Sequence, residues 1–196
     1  MKIVSAKFIK SASHPSHYPE EKLPEIAFAG KSNVGKSSLI NVLVRQKSLA
    51  RTSNTPGRTQ LINFFSVNDT YALVDLPGYG FARVPESVRK NWQPMVEAYL
   101  KSRKMLKLVI LIVDARRDLS QQDLDLANWL IVNRIPFLFV LTKIDKLSKN
   151  QLNASLRKFK AISGLPEDFS PVLFSARTGQ GRDILWAEID RAAHTL

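Results

Sequence analysis

The sequence predicts a three-layer α/β domain: a mostly parallel sheet with one antiparallel edge hairpin, covered by helices on both faces. Three observations predict it. Short apolar segments alternate with segments of helical periodicity along most of the 196 residues. Leu108 to Val113 is an unbroken apolar run, the pattern of a parallel strand buried on both faces. Leu61–Val67 and Tyr71–Asp75 are separated by a polar turn holding Asn68 and Asp69, too short for a crossover, so these two strands are antiparallel.

The elements follow in order. Residues 1–22 stand outside the alternation and read as an N-terminal extension. Val4–Ile9 is able to add a strand, and Ser11–Pro19 reads as an irregular loop. Residues 23–196 form the domain, with strands predicted at Ile26–Ala29, Leu61–Val67, Tyr71–Asp75, Leu108–Asp114, Phe137–Leu141 and Val172–Phe174. Leu39, Val42 and Leu43 mark a first helix after Ser37. Val88, Trp92, Val96, Tyr99 and Leu100 mark a second, which Pro94 is expected to kink or break near Gln93. Ser120 and Asp123 form the pattern of a capping box opening a third helix through Leu124, Ala127, Leu130 and Ile131. Leu152, Leu156 and Phe159 mark a fourth, and Leu185 and Ile189 the last. There is no internal repeat or low-complexity tract.

Composition bounds the function. Hydrophobic residues make up 44% of the chain, enough for a packed core. Cysteine is absent, which excludes a disulfide framework, a thiolate zinc site and a cysteine nucleophile. No apolar run approaches the roughly 18 residues of a membrane span. The charged start Met1–Lys7 lacks the apolar core of a secretory signal, so a cytoplasmic protein without a membrane partner is expected. The formal net charge is +12. That excess has two readings, a polyanionic partner or a merely basic, soluble surface. It is uneven: from Ile26 through Asn68 there is no Asp or Glu, while Lys31, Lys36, Arg45, Lys47, Arg51 and Arg58 are present.

Gly30-Lys31-Ser32-Asn33-Val34-Gly35-Lys36-Ser37 fits G-x-x-x-x-G-K-[ST] in full. The glycines let backbone N–H groups converge on one anion. Lys36 reaches the β- and γ-phosphates, and Ser37 ligates Mg²⁺ at a helix N-terminus that favours negative charge. The plain alternative is a glycine-containing helix cap, but the motif follows an apolar strand and precedes an amphipathic helix, as phosphate binding requires. Asp75-Leu76-Pro77-Gly78 ends a strand where a carboxylate can hold the Mg²⁺ shell and a glycine N–H can meet the γ-phosphate. Thr142-Lys143-Ile144-Asp145 follows Phe137–Leu141. There Asp145 is placed to accept from guanine N1–H and the exocyclic amine, a donor pair adenine lacks. The stem of Lys143 is able to cover the base. The N–H groups of Ser175-Ala176-Arg177 are placed to reach guanine O6.

In order and spacing these motifs resemble a translation-factor-class P-loop GTPase over roughly residues 24 to 194. Thr55-Pro56-Gly57-Arg58-Thr59-Gln60-Leu61-Ile62-Asn63-Phe64-Phe65, Asp75-Leu76-Pro77-Gly78-Tyr79-Gly80 and the T-K-x-D form at Thr142–Asp145 resemble, more narrowly, the EngB (also YihA or YsxC) family of bacterial ribosome-biogenesis GTP-binding proteins. The resemblance implies a P-loop GTPase fold, GTP/GDP and Mg²⁺ as ligands, and the large ribosomal subunit or its precursor as partner. It also implies a link to cell division and septation. By position, Gly30 to Ser37 hold the phosphates and Ser37 the metal. Gly57, Arg58, Thr59, Gln60 and Leu61 form the first switch, with Thr59 as second Mg²⁺ ligand. Thr55 competes for that role, and the family pattern favours Thr59. Asp75 to Gly78 begin the second switch. Thr142, Lys143, Ile144, Asp145, Phe174, Ser175 and Ala176 hold guanine. Thr142 stands where Asn is commoner, and two readings are open: its hydroxyl ties the base loop to the phosphate loop, or it only ends a strand.

Many GTPases place Gln directly after D-x-x-G to orient the attacking water, and here that position is Tyr79. A phenol does not reproduce a carboxamide, so slow intrinsic hydrolysis is expected, with Lys36, Thr59 and Asn33 as the catalytic candidates and no residue assigned as general base. Asn33 has two readings, a potassium site beside the phosphates or a loop-shaping residue. The segment from Gly78 through Gly80, Phe81 and Arg83, followed by Arg89, Lys90, Lys101, Arg103, Lys104 and Lys107, reads as a surface ordered by the γ-phosphate or as a solvated face. Three functions are weighed: a GTP-dependent assembly factor, a P-loop ATPase or small-molecule kinase, and a constitutive RNA-binding module. The base-loop motifs favour the first, with a monomer as the expected state.

Overall fold

The computed structural model describes residues 1–50, 61–79, 86–166 and 168–194, with side chains for all of these except 86–92. Its strands are β1 (Ala6–Ala12), β2 (Glu25–Gly30), β3 (Ile62–Val67), β4 (Tyr71–Asp75), β5 (Leu106–Asp114), β6 (Phe137–Thr142) and β7 (Val172–Leu173). They form one sheet in the order β1-β3-β4-β2-β5-β6-β7. The helices are α1 (Lys36–Leu43), α2 (Glu86–Ser102), α3 (Gln121–Val132), α4 (Lys149–Ser163) and α5 (Arg182–His194).

Strands β4, β2, β5, β6 and β7 are parallel, and β3 pairs antiparallel with β4 as the hairpin spacing requires. The hairpin is not at the sheet edge. β1 pairs antiparallel with β3 and takes the outer position, from Ala6↔Val67 to Ala12↔Ile62. The N-terminal strand therefore runs three residues beyond Ile9, into the stretch read as loop. The first residue of the expected third-strand segment, Leu61, lies outside β3 and is exposed.

Side chains alternate across the central strands, so each helical layer covers its own core. On one face Ile26, Phe28, Ile110 and Ile112 pack with Leu39, Ile40 and Leu43 of α1 and Leu185, Trp186 and Ile189 of α5. On the other, Ala27, Ala29, Val109 and Leu111 pack with Val96, Tyr99 and Leu100 of α2, Ala127 and Leu130 of α3 and Phe159 of α4. This double burial is why Leu108–Val113 is continuously apolar. Ile131, expected on the inner face of α3, is half-exposed. α2 is helical from Glu86 to Ser102 with Pro94 inside it, so the expected break is absent. A missing N–H removes one rung of the ladder, and the buried Val96, Tyr99 and Leu100 keep the last turns in place.

Two polar clusters fasten the layers. Arg182 and Trp186 of α5 donate to the carbonyl oxygen of Leu43 at 2.8 and 3.0 Å, satisfying the end of α1 with a cation and an indole N–H. The buried Glu25 carboxylate, at the start of β2, accepts from Tyr99 Oη at 2.8 Å and from Arg103. Arg103 also donates to the Pro19 carbonyl, tying the segment before β2 to the end of α2.

Candidate functional site

Apart from Leu61, just before β3, the predicted site residues that the structure describes gather at the carboxyl ends of β2, β4, β6 and β7. Sheet order reverses about β2, whose neighbours are β4 and β5, and a crevice at such a reversal is the usual ligand position of an open α/β sheet. β2 ends at Gly30, where a Cβ would lie 2.7 Å from the Ile112 carbonyl oxygen, so no larger residue fits. The loop then turns through Asn33 at φ 65° and Gly35 at φ 103°, backbone that Asn and Gly adopt at low cost. Val34 anchors the loop in the core. Gly35 is the N-cap of α1, and Lys36 and the half-buried Ser37 open that helix.

Lys36 is buried and donates from Nζ to Oδ1 of the buried Asp75, the last residue of β4. Two of the predicted ligand-binding groups are thus joined. Leu76 is fully buried and its N–H donates to Phe28 O at 3.0 Å. The chain then passes Pro77 and lies against the phosphate loop. A Cβ on Gly78 would be 3.3 Å from both Gly30 O and Ser32 N. Tyr79 N–H donates to Gly30 O at 3.3 Å, and Tyr79 O accepts from Ser32 N–H at 3.1 Å, a parallel bridge beside the half-buried Lys31.

The Tyr79 ring turns inward. It is buried, and its hydroxyl donates to Asp123 Oδ1 at 2.7 Å. Burial first, then the adjacent Asp123 charge, push the phenol well above its usual range. The Tyr79 side chain therefore lies beneath the segment that begins at Gly78 and is not part of an exposed surface there. Of the other residues read as that surface, Gly80, Phe81, Arg83, Arg89 and Lys90 lie outside the described residues or side chains. Lys101 and Lys104 are exposed and Lys107 is half-buried. The Arg103 side chain is buried in ion pairs with Glu25 and Glu21, so Arg103 belongs to neither reading. So do Thr55, Gly57, Arg58, Thr59 and Gln60, and the choice between the two threonines with them.

The base loop is joined to the phosphate loop directly. Thr142 is buried, and its hydroxyl lies 2.6 Å from Val34 O and 3.1 Å from Val113 O. One O–H donates to one acceptor at a time, and the shorter contact crosses to the phosphate loop. Of the two readings of Thr142, the geometry is that of a tie between loops. Lys143, at φ 61°, donates to Asn33 O at 2.6 Å, and its Cε lies 3.8 Å from where a Gly35 Cβ would sit. Its stem therefore runs along the loop edge. Ile144 is buried beneath, and the half-buried Asp145 accepts from Ser175 Oγ at 2.7 Å. Phe174 is fully buried, its N–H donating to Leu141 O at 2.8 Å, and Ala176 is exposed. The Ser175 N–H is engaged by Gln180 O at 3.0 Å, so of the three amides expected to face guanine O6 only those of Ala176 and Arg177 are left for it.

Three contributors escaped the sequence reading. Gly181, at φ 84°, brings its backbone against Leu173, where a Cβ would be 2.0 Å from the carbonyl oxygen. The Ser175 hydroxyl orients Asp145, a pairing across 30 residues that no local spacing announces. Asp114, the last residue of β5, holds both Arg116 and Lys143. Its position repeats that of Asp75, an acid ending an apolar strand, and that signal was legible.

The donor set suits a hard cation carried mainly by phosphate and water. Among the described residues no group of three His, Cys, Asp or Glu side chains is close enough to hold a metal. The Ser37 hydroxyl and the Asp75 carboxylate offer only the few oxygen ligands that Mg²⁺ takes from a protein at phosphate sites. A cavity of about 530 Å³ lies at the other end of the strands, lined by Leu106, Leu108, Phe137 and Arg191 among others, and shares no residue with these loops.

A phosphate loop opening a helix, an acid-ended strand bridged to it and a base loop hydrogen-bonded to it, all on this sheet, define the P-loop GTPase class. Residues 25–143 match the family described as 50S ribosome-binding GTPase. The chain is 57% identical over 192 residues to a probable GTP-binding protein EngB of Syntrophus aciditrophicus, covering 98% of this chain and 97% of that one. It is 53% identical over 191 residues to its counterpart in Geobacter sp. strain M21, covering 97% and 88%. The chain belongs to the EngB family of GTP-binding proteins. In fold it is similar to the crystal structure of a probable GTP-binding protein engB, with TM-score 0.71 at 24% identity over 86% of this chain and 98% of that one. It is also similar to a bacterial selenocysteine-specific elongation factor, with TM-score 0.63 at 24% identity over 89% of this chain and 29% of that one.

Proposed function

We propose that this GTPase is a cytoplasmic, monomeric, nucleotide-dependent assembly factor for the large ribosomal subunit, and that normal cell division and septation depend on it through that role. The observation that carries the reading is the joining of a base loop to the phosphate loop through Thr142 and Lys143, which couples recognition of one nucleotide to the position of a second loop, Asp75 to Tyr79. The family's description as 50S ribosome-binding and the net charge of +12 support the partner. One nucleotide does not use that excess, and ribosomal RNA is an anion large enough to do so. No sequence-reading RNA module is present in the sequence, so contact is through phosphate and shape.

In the reading's chemistry, the amides of the Gly30–Ser37 loop and the Lys36 ammonium hold the phosphates, and Lys36 exchanges its Asp75 partner for them. Ser37, and Thr59 from the first switch, would hold Mg²⁺, which neutralises charge on the terminal phosphates. Asp145, oriented by Ser175, accepts from the guanine edge. Hydrolysis is slow without a partner, because the residue after D-L-P-G is a tyrosine whose hydroxyl is turned to Asp123. Stimulation comes from the ribosome or from a potassium ion at Asn33. The left-handed backbone of Asn33 equally favours the loop-shaping role, so salt identity decides. Turnover that rises in KCl over NaCl at equal ionic strength supports the ion, and equal rates remove it.

The test of the whole is sedimentation with large subunits in GTP, GDP and nucleotide-free buffer across a salt series. Co-sedimentation favoured by GTP and falling steeply with salt is expected. Equal binding in all three conditions would leave a constitutive RNA-binding module, since a ligand without preference shifts nothing.

A further inference from the structure

Asp114 is buried at the end of β5, and none of the roles above uses it. Its register partner in the sheet is Thr142, and the Ala115 N–H donates to the Thr142 carbonyl oxygen at 2.9 Å. Both carboxylate oxygens are occupied. Oδ1 accepts from the Arg116 backbone N–H at 3.1 Å and from Arg116 Nε at 2.9 Å. Oδ2 accepts from Arg116 Nη2 at 2.7 Å and from Lys143 Nζ at 2.9 Å. Burial alone would raise this carboxyl, but the hydrogen bonds from Arg116 and Lys143 outweigh it and hold it below the usual carboxylate range. Arg116 shares the acid from its open side, with a side chain 39% exposed.

Lys143 thus has two anchors, Asn33 O on the phosphate loop and Asp114 on β5. Its backbone at φ 61° is one that a lysine rarely adopts unless its surroundings enforce it. A four-carbon stem pinned at its ammonium and at a strained backbone has little freedom left, and a flat base laid along it loses little more entropy on binding.

We infer that Asp114 is a positioning residue for guanine: by fixing the Lys143 ammonium it holds the Lys143 stem as one wall of the base pocket. This rests on the guanine-binding reading of Asp145. The carboxylate touches no nucleotide atom. It acts only through Lys143, leaves the phosphate grip to Lys36 and the loop amides, and serves the base end alone.

The test is a double-mutant cycle on release of fluorescent N-methylanthraniloyl-GDP, with inorganic tripolyphosphate as a second competitor that has phosphates and no base. Asp114→Asn is expected to speed GDP release about tenfold, the usual scale for removing a partner that orients a ligand-binding group. Tripolyphosphate affinity stays unchanged. Lys143→Met also speeds GDP release, and adding Asp114→Asn to Lys143→Met speeds it no further, because the two act as one unit. Additive effects, unchanged release, or a parallel loss of tripolyphosphate affinity would overturn the inference, the last showing general support of the fold. Asp114→Glu, which keeps a paired charge in the interior, serves the same cycle should the asparagine variant fail to fold. Wild-type protein releasing the probe to ADP as readily as to GDP would remove the guanine reading itself, and the inference with it.

Discussion

Thr142 has one proton to donate and two carbonyl oxygens within reach, and it spends that proton on Val34 in the phosphate loop. The neighbouring loops are held by few such contacts, so each should be visible in nucleotide affinity. Thr142→Val keeps the shape and removes the donor. A buried hydrogen bond of about 1 kcal/mol corresponds to a roughly fivefold weaker affinity for GDP. Competition titration with a fluorescent GDP analogue measures it, with Thr142→Ser expected to retain wild-type binding. At this scale the sequence was legible where a residue belongs to a contiguous motif, as Lys36, Thr142 and Asp145 do. It was illegible where the partner is remote: Ser175 reaches Asp145 only because β6 and β7 lie side by side. Asp114 was overlooked for a different reason. It ends its strand as Asp75 does, yet no fixed spacing to a second motif residue flags it.

Among the elements, α3 begins on a buried carboxylate with two tasks. Asp123 closes the capping box with Ser120, its Oδ2 accepting from the Ser120 N–H at 2.9 Å, while Oδ1 takes the Tyr79 hydroxyl. Asp123→Ala should therefore cost more than an ordinary cap. Loss of the cap accounts for about 1 kcal/mol. Loss of the charge-assisted hydrogen bond from Tyr79 adds about 1.5–3 kcal/mol. Denaturant unfolding of Asp123→Ala, Tyr79→Phe and the double variant should show the second contribution vanishing when the phenol is already gone. The capping box itself was plain in the sequence. β1 was only half legible, and the reason is geometric. Lys7, Phe8, Ile9 and Lys10 are all exposed, and the register shifts between Phe8 and Lys10. A bulge on an edge strand breaks the period of two on which strand reading depends. Of the kink or break expected at Pro94 only the break is overturned, because tertiary burial of the α2 face outweighs a single lost rung.

Across the whole molecule, the four tyrosines share one electrostatic tendency. Tyr18, Tyr71, Tyr79 and Tyr99 are all pushed above the ordinary 10.0, each first by burial. Tyr71 reaches about 12, with the hydrogen bond to Asp190 adding to the effect. A raised phenol binds its proton more tightly folded than unfolded, so the folded state holds more protons above pH 10 and stability falls as pH climbs from there through the folded values. Below pH 10 both states are protonated and this contribution is constant. Chemical unfolding at a series of alkaline pH values should show it, and near-ultraviolet titration should show phenolate appearing later in the folded protein than after unfolding. The three-layer architecture behind this burial was the most legible feature of all, because a run such as Leu108–Val113 has no other use than to be covered on both sides.

Asn68 sits at the hairpin turn between β3 and β4 with φ 53°. Its side-chain oxygen accepts from the Val4 and Ser5 N–H groups at 2.7 and 3.0 Å, and its amide donates to Lys2 O at 2.8 Å. One asparagine thus staples residues 2–5 to the end of the hairpin opposite Asp75, the full length of β4 away, about 17 Å at the usual rise per residue. A surface tether or dye attached through Met1 should accordingly leave the nucleotide-facing side outward and unobstructed, and report the tumbling of the whole body instead of events at the loops.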